Sequence, residues 1–200
     1  MFDVTTLVET LGLIGIAFFL FAESGILLGF FLPGDSLLFA AGIFAQAHFF
    51  SLPVLLVVAV VAAFLGDQFG YWMGSTFGTK VFSRPGSRYL SPLHIARAHS
   101  FYKKHGKLTV VIARFVPIVR TLVPTIAGVG KMEYRTFVTY NLIGGIIWVV
   151  GVTLFGYFLG SLIPNINTYL PIVFIAVIVL SSFVPALLRF FTRNKTKSHI

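Results

Sequence analysis

Residues 107–132 read KLTVVIARFVPIVRTLVPTIAGVGKM. The stretch is apolar enough to enter a bilayer, yet it carries Arg114, Pro117, Arg120 and Pro124. Each guanidinium costs about 2.5–3.5 kcal/mol at mid-membrane on insertion scales, and a proline interrupts the helical hydrogen bonds. A lipid-facing spanning helix therefore does not fit these residues. A broken segment does: it enters and leaves on one side near 108–130, and Pro117 lets both arginines turn inward.

The flanks support that reading. Residues 1–79 hold no Lys or Arg, and seven bases then fall within 80–107: Lys80, Arg84, Arg88, Arg97, Lys103, Lys104 and Lys107. Lys131 and Arg135 follow, and Arg189, Arg193, Lys195 and Lys197 close the chain in a basic tail, 189–200. Bases in short loops mark the cytoplasmic side. The loop and the tail both belong inside, but three apolar runs separate them, at 108–130, 136–163 and 169–188. Three full spans would put the tail outside, so one run must return to the side it came from. In the loop, Ser91-Pro92 reads as a helix N-cap and first position, predicting a short interfacial helix over 92–105.

Composition agrees. The 200 residues are 57% hydrophobic and 10% charged, with a mean hydropathy of +0.94; soluble domains are about 25% charged. The chain has no Cys, which excludes disulfides, thiolate chemistry and Cys-based metal sites. Its net charge of +9 is segregated into loops and does not signal nucleic-acid binding. The bases can instead hold anionic lipid head groups. The amino end has no basic region of the kind that opens a cleavable signal peptide.

The first half mirrors the second. An apolar run at 11–32 meets the punctuation PGDS at 33–36. The run 37–47 is too short to cross, about 16 Å at 1.5 Å per residue. This predicts a second dip, near 24–47, entered from the opposite side. Residues 53–79 are long enough to span. The predicted fold is an all-α polytopic membrane domain over 1–188, with two oppositely oriented re-entrant hairpins in the inverted arrangement of secondary transporters. Gly66, Gly70, Gly74 and Gly78 form a small-residue stripe for close helix approach, within the chain or between copies in a homo-oligomer; Gly156 and Gly160 form a shorter one. Tyr71, Trp72, Trp148 and Tyr169 read as interfacial anchors.

Five charges sit in apolar runs: Glu23, Asp35, Asp67, Arg114 and Arg120. Arginine suits phosphate because its planar fork donates two parallel hydrogen bonds and stays charged. Glu23 and Asp35 are acids that burial and nearby arginines pull in opposite directions, as a proton-loading group requires. The plainer alternative is that acids and arginines only neutralise one another. Asp67, beside the glycine stripe, reads as a structural or coupling partner. His48, His94, His99 and His105 lack metal-ligand spacing, and His48 sits in a turn where it could sense pH. No metal or cofactor is implied.

Three stretches, FAESGILLGFFLPGDSLLFAAG (21–42), GDQFGYWMG (66–74) and FYKKHGKLTVVIARFVPIVRTLVPTIAGVGKM (101–132), resemble the DedA family, the bacterial branch of the VTT (SNARE-associated) superfamily. The resemblance runs from about residue 8 to about 165, and PGDS places it nearest one DedA subgroup. It implies a multi-pass protein of the bacterial cytoplasmic membrane with two re-entrant hairpins. It also implies a membrane acidic pair at Glu23 and Asp35 and paired arginines at Arg114 and Arg120. Family members are linked to proton-motive force and envelope integrity, and some return undecaprenyl phosphate to the cytoplasmic face. The expected function is thus a proton-coupled flippase for an anionic lipid phosphate, its partners being that lipid, membrane lipids and protons. An uncoupled scramblase, a cation exporter and a non-transporting scaffold are the alternatives; two buried arginines disfavour a cationic substrate. No nucleophile or metal-cluster motif indicates an enzyme.

Overall fold

The computed structural model describes residues 4–25, 34–82 and 109–163. Among them the chain forms six helices and no strand: α1 (Val4–Gly25), α2 (Gly34–Gln46), α3 (Leu52–Phe82), α4 (Thr109–Ala113), α5 (Pro117–Val129) and α6 (Tyr134–Ser161). The basic loop beyond Phe82, the expected helix 92–105, the run 169–188, the tail and the turn of the first expected hairpin at 26–33 lie outside the described residues.

Helix length divides these elements into two kinds. The apolar stretches Leu52–Phe77 of α3 and Tyr134–Ser161 of α6 are long enough to cross a bilayer. One face of α3 presents Val54, Val57, Val61, Leu65, Phe69 and Trp72 outward. Such a stripe would be a liability in water and suits contact with lipid. By contrast, α2 and α5 have 13 residues each, about 20 Å of helix against a hydrocarbon core of about 30 Å.

The break before α5 follows from its proline. A residue preceding proline is driven from the helical to the extended region, and Val116 sits at φ −110°, ψ 108°. The chain tightens there into three-residue turns (Arg114, Phe115 and Val116 N–H to Val111, Ile112 and Ala113 C=O). Pro117 then opens α5, where its missing N–H costs nothing.

Both short helices end alike. His48 (φ 63°) and Lys131 (φ 50°) adopt left-handed backbone. In each case the next N–H reaches back across the final turn, Phe49 to Phe44 (2.9 Å) and Met132 to Ala127 (3.0 Å). This is the Schellman end, in which glycine is the usual residue. The Phe44 and Phe49 rings meet edge to face at 5.9 Å and supply its apolar contact.

α1 lies along α3, and the short helices exchange partners between the halves: α2 lies along α6 and α5 along α3. Glycines permit the close approaches. A Cβ on Gly66 would overlap α1, one on Gly74 would overlap Thr125, and one on Gly70 would crowd Pro124. The stripe is therefore covered inside the chain at these three positions, which leaves them no surface for a second copy. A residue interval recurs in these contacts. GYWMGS at 70–75 matches GYFLGS at 156–161 in four of six residues, 86 positions on. Gly42 and Gly128 are separated by the same interval; Gly42 abuts Thr153 and Tyr157 of α6, and Gly128 abuts Tyr71 and Ser75 of α3.

The apolar core has two parts. Leu20, Leu38, Leu55, Ala59, Trp148 and Val149 join α1, α2, α3 and α6. Val110, Ala113, Val123, Ala127 and Phe137 join α4, α5 and α6, with Tyr71 packed against them. One expected interfacial anchor, Trp148, lies elsewhere. Trp148 is 4% exposed in the core. Tyr71 stacks on Phe137 and donates its hydroxyl to the Met132 carbonyl at 2.6 Å. Trp72 is half exposed, as an anchor should be.

Candidate functional site

The five charges within the apolar runs come together in two groups. Around Arg120, in the first turn of α5, stand Glu23, two residues before the end of α1, and Asp35, in the first turn of α2. Arg120 donates Nη2–H to Glu23 Oε1 and Nη1–H to Asp35 Oδ1, the latter at 2.6 Å. Its guanidinium lies over the Trp148 ring, 4.3 Å from the centroid, a cation–π contact that strengthens out of water. The Trp148 indole N–H also donates to Asp35 Oδ1, at 2.9 Å.

The two carboxylates of this group differ. The side chain of Glu23 is 3% exposed, that of Asp35 44%. Glu23 Oε2 is buried, and it is pressed against the backbone of Gly34, where any Cβ would overlap it. Glycine at position 34 is thus a condition for seating the carboxylate.

The second group is closed. Arg114, just past α4, pairs through Nη2 with Asp67 of α3, and the same nitrogen donates to Asn141 Oδ1 of α6 at 2.8 Å. Asn141 Nδ2–H donates to Asp67 Oδ2 at 3.1 Å, completing a triangle. All three residues are buried. Gly144 and Gly145 let the Arg114 side chain lie close against α6, since a Cβ at either would stand 3.1–3.3 Å from it.

The arginines, expected to act as one pair, are therefore divided between two sets of acids. Pro117 is the reason: the break it imposes sends Arg114 back toward α3 and α6 and leaves Arg120 at the opening turn of α5. Asp67 is the partner of Arg114. Sequence reasoning missed Asn141 and Trp148. Asn141 carried a signal, as an amide inside an apolar run; a tryptophan among apolar neighbours carries none. No group of three or more His, Asp or Glu that could hold a metal occurs among the described residues.

A family model for the VTT domain matches residues 32–158, which span α2 to α6 and most of the charged band. The chain is also 43% identical over 164 residues to Protein DedA of Escherichia coli K12, covering 81% of this chain and 74% of that one. The chain belongs to the DedA family. An uncharacterized membrane protein of Mycobacterium tuberculosis is 41% identical over 175 residues, 86% of this chain and 76% of that one. The inner membrane protein YqjA of Escherichia coli K12 is 39% identical over 145 residues, 71% and 64%. These DedA relatives are named as membrane or inner-membrane proteins, and this DedA-family chain is accordingly a bacterial inner-membrane protein. No solved structure matches the chain.

Proposed function

We propose that this protein is a carrier for an anionic lipid phosphate, of the class that includes undecaprenyl phosphate, driven by the proton-motive force and serving envelope integrity. The observation that carries the reading is the Arg120 group: a stacked guanidinium gripped by one buried and one half-exposed carboxylate. Across both groups, three carboxylates face two guanidinium ions. The surplus carboxylate is a place for one proton, and protonating Glu23 or Asp35 would loosen its hold on Arg120. A phosphate monoester could then take the vacated bonds, because the guanidinium fork binds phosphate and carboxylate alike. Proton uptake and anion loading are linked through a single side chain.

The short helices support the access route. Asp35 and Arg120 each lie in a first turn, so their ion pair draws the amino ends of α2 and α5 together, and helix amino ends favour anions. In this reading the segments near 24–47, which includes α2, and near 108–130, which includes α4 and α5, form re-entrant hairpins of opposite orientation, and the recurring interval of 86 residues is the trace of an inverted repeat. The carboxyl terminus is cytoplasmic, and the chemistry is carriage, not catalysis.

The test is inward movement of fluorescent undecaprenyl phosphate in proteoliposomes, with and without an imposed pH gradient. Gradient-stimulated movement is expected for the wild type and its loss for Arg120→Ala and Glu23→Gln. Movement indifferent to the gradient would indicate a scramblase. A second reading draws on the closed Arg114–Asp67–Asn141 triangle: the charges only specify packing, as in a scaffold. That reading requires Glu23→Gln and Arg120→Lys to leave function in the membrane intact.

A further inference from the structure

Two donors from different helices meet on one acceptor at the half-exposed edge of the Arg120 group. Asp35 Oδ1 takes Arg120 Nη1–H at 2.6 Å and Trp148 Nε1–H at 2.9 Å. Trp148 is buried and its ring is fixed against the guanidinium, so the indole N–H has a set direction. Of the three side chains, Asp35 is the one with room to leave: 44% of it is exposed, against 9% for Arg120. The acceptor is thus the exposed member of a site whose donors are held.

We propose that Asp35 occupies the seat of the ligand's phosphoryl oxygen, and that Trp148 is a binding residue which donates its indole N–H to that oxygen once Asp35 withdraws. The inference rests on the lipid-phosphate reading and adds two things to it: a further donor, and a built-in competitor. A carboxylate oxygen and a phosphoryl oxygen accept charge-assisted hydrogen bonds of the same kind. An oxygen placed at Asp35 Oδ1 would receive one bond from α5 and one from α6, while Arg120 Nη2 stays on Glu23. Asp35 and the ligand then exclude each other, and in the empty carrier Asp35 keeps the Arg120 Nη1–H and Trp148 N–H donors from standing unpaired, a costly state out of water.

Binding and transport should separate. The purified full chain, in a neutral maltoside detergent, is titrated by calorimetry with tetradecyl phosphate and, in a second arm, with inorganic phosphate. Trp148→Phe keeps a ring over Arg120 and removes only the N–H; affinity for tetradecyl phosphate should fall about tenfold, the scale of one hydrogen bond to a charged group. Asp35→Ala removes the competitor and should bind several-fold more tightly than the wild type while losing gradient-driven transport. It lies at the exposed edge, so it keeps the test open should Trp148→Phe misfold. Wild-type binding that Arg120→Ala abolishes, with Trp148→Phe unchanged and Asp35→Ala no tighter, overturns this inference and leaves the carrier reading standing. Failure of the wild type to bind either probe overturns both. Inorganic phosphate binding as tightly as the alkyl ester, with the same dependence on Trp148 and Asp35, upholds the two-donor seat and reassigns its ligand to free phosphate.

Discussion

Arg120 is held in three ways at once: an ion pair to a buried acid, an ion pair to a half-exposed one, and a ring face. Lysine cannot reproduce this, because a single ammonium offers no planar fork and no stacking surface. Arg120→Lys should therefore reduce lipid-phosphate transport at least tenfold in proteoliposomes, with the protein still folded and membrane-inserted. Arg114 predicts a different pattern. Its triangle is fully buried, and removing one partner strands a charge, at a cost of about 3–5 kcal/mol. Arg114→Met and Asp67→Leu should each lower the unfolding temperature sharply in detergent, and the double variant should recover much of the loss. Gly34→Ala belongs to the same scale: the added methyl collides with the Glu23 carboxylate and should abolish transport, although position 34 carries no functional side chain. The candidate charges were legible in the sequence because a charge in an apolar run is costly and needs a reason. Their pairing was not, since it depends on how Pro117 redirects the chain in three dimensions. Nor was Trp148, whose residue type fits an interface as well as a core.

The short helices α2 and α5 are legible from length and punctuation: PGDS opens one and Pro117 the other. Their ends were less so, because His48 and Lys131 stand where glycine is usual and give no turn signal. A left-handed non-glycine residue costs about 1 kcal/mol or more. His48→Gly and Lys131→Gly should each raise the unfolding temperature by a few degrees without altering transport. A drop for either would mean that its side chain makes a stabilising contact that outweighs the backbone strain. The glycine stripe of α3 was correctly readable as a packing device, but the sequence left open whether it packed within or between chains. Its contacts with α1 and α5 at Gly66, Gly70 and Gly74 settle that for these positions.

At the scale of the whole molecule, each short helix rests on the long helix of the other half, and the charged band lies where the two halves meet. Carrier function requires that this junction rearrange, and its composition supports such a change. The Arg114 group is buried and paired within itself and can act as a fixed base, while the Arg120 group holds the surplus acid and the exposed one. In the proposed carrier, lipid phosphate and proton move together through Arg120, Glu23 and Asp35. The decisive measurement uses proteoliposomes loaded with a pH-sensitive dye and given undecaprenyl phosphate from outside at zero membrane potential. Lipid addition should acidify the lumen, in proportion to the lipid moved, and Glu23→Gln and Arg120→Ala should abolish the signal. Lipid movement at the wild-type rate with no change in luminal pH would contradict this coupling.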